Sequence, residues 1–492
     1  MKSIHTVLPW TPDARPRIEV SVLVAPIARL GKSLGSARSI LQVLLLGLAF
    51  LLPFISWQQA AGCVVLALIF LLLVGPHLGE NSGEETRLPA DSDWTLGSNA
   101  VTGAALRIAP GIGHLGSGLA LYLLSVLALV LIYRHSLHVV AAVWAIVALG
   151  DVAADAVREA FKGPVLPYNR QKTYWGFIAF AVAGGGGAYV LARWVNPALP
   201  ADKVVWVCAA AALVGAFVET LPIRLNDNIT VPLVCGGFMY CAFLMECSAL
   251  DSNLPYLGVR IVLAIGVCLA LALLAFAMKT VTRSGAVVGF LLGVAVYLGY
   301  GYKSFLILLL FFVLGSAATR MGYAAKSARG LAERRGGARS WRKALANGLA
   351  GAFFAILVIT THCEGAFLLA LLAAFAEAAG DTVSSEIGQW LSNRAYLLTT
   401  FQAVPAGTNG GVTISGTAAG LVASSLVAGA GYALGLCSVG GVALAAGAAL
   451  AGNLLDSLLG ATLERRGLVT NGIVNFAGTS FAGALALAYF FR

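Results

Sequence analysis

Charge is scarce in this chain. Its 22 acidic and 32 basic residues make up 11% of 492 positions, and hydrophobic residues make up 59%, where an ordinary soluble domain is about 25% charged. With a mean hydropathy of +0.86, that shortage excludes a soluble globular protein and points to an integral membrane protein. Histidine is rare too: His5, His77, His114, His135, His138 and His362 form no HxxxH or HExxH set, which weighs against a histidine metal site. The eight cysteines include no CxxC and sit mostly inside apolar runs, so they read as small packing residues rather than disulfides or zinc ligands. No GxxxxGK[ST] sequence occurs, which excludes a Walker-type nucleotide site. The first 17 residues carry Lys2, Arg15 and Arg17 without an apolar core. No cleavable signal peptide is therefore expected, and the amino terminus is expected to stay in the cytoplasm.

What the chain has in abundance is apolar runs. About fifteen are long enough to cross roughly 30 Å of hydrocarbon. They centre near residues 47, 67, 125, 145, 182, 211, 238, 266, 291, 310, 354, 372, 423, 448 and 482. The expected fold is an all-α, polytopic integral membrane protein of two helical-bundle halves, residues 1–278 and 279–492. The net charge of +10 is read as loop charge rather than as a nucleic-acid surface. From Arg320 to Lys343 the bases Arg320, Lys326, Arg329, Arg334, Arg335, Arg339, Arg342 and Lys343 face one acid, Glu333, so this loop is expected to be cytoplasmic. Counting two spans at a time puts Arg158 to Lys172, Glu219 to Asn228, Asp381 to Gly411 and Asp456 to Arg466 on the same side. Gly150-Asp151 and Gly380-Asp381 each close an apolar run, so these acids are expected at cytoplasmic helix ends. Acids gathered at one face suit chemistry between a water-soluble reactant and a lipid. A transporter would carry polar groups near the middle of its spans.

In the first half, ALGDVAADAV places Asp151 and Asp155 on one helix face. PYNRQKTYWG adds Arg170 and Lys172, and VETLPIRLNDNITVP adds Glu219, Asp227 and Asn228. Carboxylates for a hard cation beside bases for phosphate oxygens are what Mg²⁺-assisted phosphoryl transfer needs. The plainer reading is a surface pair of Asp155 with Arg158 and a turn at Asp227 and Asn228. In the second half, GDTVSSEIG supplies Asp381 and Glu386, and VPAGTNGGVTISGT supplies Thr408, Asn409, Gly410 and Gly411. Such a loop ahead of a helix can turn backbone N–H groups toward phosphate; equally, its glycines can serve close helix packing. DSLLGA then adds Asp456, and NGIVNF adds Asn475.

These stretches carry two resemblances. Residues 140 to 235 resemble the phytol kinase branch of the polyprenol kinase family, which includes dolichol kinase. From residue 282 to 476, TRSGA, FFVLGSAAT, KALANG, GDTVSSEIG, GTNGGVT, DSLLGA and NGIVNF resemble, in order, the family containing the plant phytyl-phosphate kinase. The resemblance implies a bifunctional membrane kinase. Its first half would phosphorylate a prenyl alcohol such as phytol or geranylgeraniol, and its second half the monophosphate, with CTP or ATP as donor and Mg²⁺ as cofactor.

Asp151, Asp155, Lys172, Glu219, Asp227 and Asn228 become the first half's site, and Asp381, Glu386 and Asp456 the second's. Lys326, Arg339, Asn347, Thr408, Asn409, Gly410, Gly411 and Asn475 are expected at nucleotide or phosphate, and Asp151, Asp381 and Asp456 at metal. The partners implied are prenyl alcohol and prenyl monophosphate from the bilayer and nucleotide from the cytoplasm, with no nucleic acid. Departures from the family patterns are Arg158-Glu159 for a Gly-Arg pair, Arg38, Ser39 and Gln42 for an RKxxH start, and Asn409 for Asp. The rival readings are cytidylyl transfer to a lipid phosphate and a lipid-phosphate or ion transporter.

Overall fold

A computed structural model describes residues 37–79, 114–161 and 163–491. The expectations on Lys2, His5, Arg15 and Arg17 lie outside these residues. A helical segment stands at each of the fifteen expected places. In chain order the helices are α1 (Ala37–Leu46, continued as a 3₁₀ turn Gly47–Phe54), α2 (Trp57–Gly79), α3 (His114–Ile132), α4 (Leu137–Ala160), α5 (Tyr174–Val195), α6 (Ala201–Thr220), α7 (Asp227–Leu244) and α8 (Cys247–Ala277). Then come α9 (Arg283–Arg320), the short α10 (Tyr323–Ala328), α11 (Trp341–Thr360), α12 (Glu364–Leu391), α13 (Ile414–Ala433), α14 (Val439–Leu459) and α15 (Asn471–Ala488). Among the described residues, 10 helices are long and apolar enough to span a membrane. One of them, α9, holds two expected segments, broken where Tyr300 and Gly301 leave helical geometry. The fold is all-α and polytopic. Short strands decorate two connections: β1 (Val165–Leu166) pairs with β2 (Asn169–Thr173), and β3 (Arg394–Leu397) lies between β4 (Ala403–Pro405) and β5 (Gly411–Val412).

The described residues fall into two compact units, one reaching Met239 and the other running on from Tyr240, with Ile223–Leu225 also in the second. In the first, α4 is the central helix, with 72% of its most apolar stretch buried, and α5 packs along it. Its glycines make that approach close: a Cβ on Gly184 would stand 3.2 Å from the Ile146 carbonyl oxygen, and one on Gly187 would stand 2.3 Å from Leu149 Cδ1. Between membrane helices, association rests on such packing, because lipid tails are as apolar as the side chains. In the second unit, α12 is central, 83% buried over its apolar stretch, and touches α9, α11, α13, α14 and α15. By contrast α8, with 31 residues, is only 11% buried and turns its length outward.

The units repeat one order of parts. A central helix carrying Gly-Asp is followed by antiparallel strands, then by a helix capped by threonine, with a glycine three residues on. Thr173 Oγ1 accepts from Gly176 N–H at 3.1 Å, and Thr413 Oγ1 accepts from Gly416 N–H at 3.0 Å. In each unit the next helix brings an acid near its end, Glu219 on α6 and Asp456 on α14. The following helix then starts in an Asn-containing stretch.

One expectation is corrected. Asp151 and Asp381 close their apolar runs but not their helices: α4 runs nine residues past Asp151 and α12 ten residues past Asp381. The apolar run stops there because the helix meets a polar site. The backbone continues because Ala, Ser and Glu on that face still support helix.

Candidate functional site

In the second unit the motifs converge around Asp381. Asn475 Nδ2 donates to Asp381 Oδ2 at 3.2 Å and to Asn347 Oδ1 at 2.9 Å, tying α15 and α11 to α12. Asp456 on α14 lies within electrostatic reach of Asp381, as do the cations Lys343 and Arg339. Gly380 makes the site possible. A Cβ there would stand 2.2 Å from Ser424 Oγ and 2.6 Å from Asn453 Nδ2, so the missing side chain admits polar groups from α13 and α14.

Beside Asp381 a cleft opens between α13 and α14, with about 470 Å³ of open space including its mouth. Its polar lining is Asp381, Ser384, Thr417, Ser424, Asn453 and Ser457, and its apolar lining includes Leu421, Leu450 and Leu454.

Sequence reasoning missed Glu377. It lies one helical turn before Asp381, 1% exposed, and its Oε1 has no hydrogen-bond partner. Gly452 and Gly478 leave the room it occupies, since a Cβ on Gly478 would stand 2.5 Å from Oε1. The signal was the acid inside FAEAAGD, which reads as one more helix-end charge while the run is taken to end at Asp381.

The basic residues divide. Arg339 is buried, stacked 5.1 Å over the Phe311 ring, with Nη2 unpartnered. The glycine of FFVLGSAAT admits it, because a Cβ on Gly315 would stand 2.0 Å from Nη2. Burial pulls this guanidinium below its ordinary pKa, although Glu386, Glu333 and Asp381 counter the pull. Lys326 is fully buried and its donors are engaged: 2.6 Å to Glu386 Oε2, 3.2 Å to the Ala318 carbonyl and 3.0 Å to the Thr319 carbonyl. Lys326 and Glu386 therefore clamp α10 to α12 and the end of α9.

The glycine loop has a tighter role than the sequence suggests. Thr408 Oγ1 donates to the Pro405 carbonyl at 2.7 Å, and Gly411 N–H donates to the Thr408 carbonyl at 2.9 Å, so these groups close the turn on itself. Asn409 is exposed. Gly410, at φ +73°, seats on a π turn (Gly460–Glu464) that extends α14, where a Cβ would stand 2.1 Å from Ala461 N. A contact between Gly407 and Leu331 and an Arg329–Asn393 hydrogen bond of 2.9 Å place the polar connections 321–340, 392–413 and 460–470 at one end of this bundle.

In the first unit Lys172 on β2 pairs with Glu219 and stands 3.6 Å from Asp227 Oδ2. Burial opposes its charge, but Glu219 and Asp227 outweigh burial and hold its pKa above the ordinary lysine range. Asp151 accepts from Gln42 Nε2 at 3.3 Å, so the position that the kinase pattern gives to histidine does reach this acid. Asp155 pairs with Arg158 at 2.9 Å and lines a small cleft with Lys172 and Glu219. Asn228 is buried: its Nδ2 donates to the Gly118 carbonyl at 3.2 Å, and its backbone carbonyl accepts from Ser125 Oγ.

Among the described residues no three His, Cys, Asp or Glu side chains form a metal cluster. The orphaned buried acceptors Asp456 Oδ2, Asn475 Oδ1 and Glu377 Oε1 are nevertheless all oxygens. Such a set suits Mg²⁺, which is commonly held by one or two carboxylates together with substrate phosphate.

Residues 266–483 match the family described as integral membrane protein DUF92. A membrane protein of Synechocystis sp., described as uncharacterized, is 35% identical over 212 residues, which is 42% of this chain and 82% of that protein. The chain belongs to the DUF92 family. The chloroplast protein VTE6 of Arabidopsis thaliana is 36% identical over 213 residues, 42% of this chain and 64% of that relative. A probable phytol kinase 3 of Glycine max is 34% identical over 120 residues, 22% of this chain and 35% of that relative. No solved structure matches the chain significantly.

Proposed function

We propose that the chain is a membrane isoprenoid kinase with two sites. One site, in residues 1–278, phosphorylates a prenyl alcohol, and the other, in residues 279–492, phosphorylates the monophosphate. Both use a nucleoside triphosphate at the cytoplasmic face. The observation that carries the reading is the acid pair Asp381 and Asp456 beside a cleft lined by both polar groups and leucines. Such a place suits a reactant that is anionic at one end and apolar at the other. Likeness to a probable phytol kinase supports the substrate class.

In the second site Asp381, Asp456 and Asn475 would hold Mg²⁺, which supplies charge neutralisation on the transferring phosphate. Asn475 and Asn347 fix the Asp381 carboxylate, and Lys343 and Arg339 add positive charge nearby. The attacking phosphate oxygen is already anionic, so this site needs positioning more than a base. In the first site an alcohol attacks. There Asp151, held by Gln42, orients the hydroxyl and Lys172 offsets phosphate charge.

The test is purified protein in detergent with Mg²⁺, geranylgeraniol or its monophosphate, and CTP or ATP, with products read by mass spectrometry. Diphosphate from both substrates, with nucleoside diphosphate released, is the expected result. Pyrophosphate release would indicate cytidylyl transfer, and no transfer from either donor would sink the kinase reading. Transport is a second reading with one observation in its favour: Glu377 is an ionisable residue halfway along α12, and ionisable groups inside spans commonly mark ion pathways.

A further inference from the structure

The cleft beside Asp381 carries both leucines and polar groups. On α14, Leu450, Asn453, Leu454 and Ser457 line it over two helical turns, about 10 Å. On α13, Thr417, Leu421 and Ser424 face them. The leucines are partly turned outward, with Leu421 46%, Leu450 38% and Leu454 49% exposed. On apolar spanning helices, outward means toward lipid. The back wall is α12, where Asp381 and Ser384 look into the cleft. Gly420 draws α13 against that wall, since a Cβ there would stand 2.7 Å from the Gly380 carbonyl oxygen. The Ser424 hydroxyl is already donated to the Ala376 carbonyl at 2.9 Å. Ser384, Thr417, Asn453 and Ser457 are therefore the neutral hydrogen-bonding groups left to meet an oxygen-rich head group.

We propose that the gap between α13 and α14 is the side door through which a single-chain isoprenoid phosphate enters from the bilayer. Its tail passes Leu421, Leu450 and Leu454, and its head group meets Ser384, Asn453 and Ser457 in front of Asp381. Polar groups and outward-turned leucines lining one cleft select an amphiphile. The identity of the occupant rests on the kinase reading; the location of the door does not. A water-soluble phosphate would have no use for a leucine-lined mouth that faces lipid.

The experiment uses the full chain in vesicles without nucleotide. A geranylgeranyl monophosphate bearing a diazirine near the end of its tail is photolysed, and the labelled peptides are mapped by mass spectrometry. Labelling concentrated on α13 and α14 around Leu421, Leu450 and Leu454 is expected. It should be competed by unlabelled geranylgeranyl monophosphate and cut at least fivefold by Leu454→Trp. Leu421→Trp serves as a second plug should the first variant express poorly. Labelling on other helices, none above background, or competition by ordinary phospholipid with equal strength would each overturn the proposal. Because no nucleotide is present, specific labelling with no turnover in the separate assay would retain the door and remove the kinase reading.

Discussion

Glu377 shows most clearly what single residues do here. A carboxylate deep in a bundle costs several kcal/mol unless partnered, yet two glycines hold space for this one and Oε1 lacks a donor. Glu377→Gln keeps the shape and removes the acid. It should leave thermal unfolding in detergent unchanged or slightly raised and lower turnover on the monophosphate by about 100-fold or more, the scale seen when one preorganised charge-stabilising group is lost. Unchanged turnover would make Glu377 a structural residue. Lys326 makes the opposite case. Lys326→Met leaves Glu386 buried without its cation and should destabilise the second unit by about 3 to 5 kcal/mol. The double variant Lys326→Met with Glu386→Leu should recover most of that in the same unfolding measurement. No recovery would mean that the lysine does more than hold the clamp.

At the scale of elements, much of what looks like chemistry in the sequence is capping and close approach. TRSGA, KTYWG, VTISG and CSVGG all start helices in which a Thr or Ser oxygen accepts from a Gly N–H three residues on, at 3.0 to 3.2 Å. The glycine is there because another chain segment lies against it, as Gly285 lies against the Arg339 carbonyl oxygen and Gly416 against the Ser384 carbonyl oxygen. Helix existence was legible because fifteen apolar runs leave no other way to satisfy the backbone in lipid. Helix ends were not, since Asp381 and Asp151 interrupt the apolar pattern without interrupting the hydrogen bonds. That one misreading also hid Glu377. Asp381, Asp456, Asn347 and Asn475 were legible as motif residues, and the structure brings them near one another. Lys326 and Glu386 stand in two of the motifs, but their ion pair across 60 positions is invisible in one dimension. Gly410→Ala checks the element view: positive φ and contact with the π turn both oppose a side chain. Turnover on monophosphate should fall at least tenfold while the chain still purifies as a folded protein; full activity would show that the loop's seat on α14 is dispensable.

Across the whole molecule the repeated order of parts predicts separable losses. Asp151→Asn should block product from the alcohol and leave monophosphate conversion within about twofold. Asp381→Asn should let monophosphate accumulate from the alcohol and stop it there. Loss of both steps in either variant would argue against two independent sites. The long outward helix α8 adds a consequence of another kind. Its 31 residues extend about 46 Å, well beyond roughly 30 Å of hydrocarbon. Asp251 stands in its second turn, at the end where the Glu246 N–H meets the Thr360 carbonyl, opposite the polar connections. The helix must therefore lean or stand proud of the acyl layer, and it acts as a depth gauge for the second unit. In vesicles of graded acyl length, turnover should peak at one thickness and fall on both sides. A flat response would mean that the bundle floats at any depth. The thickness of the surrounding membrane thus becomes a variable of the chemistry, set by a helix that touches none of the reacting groups.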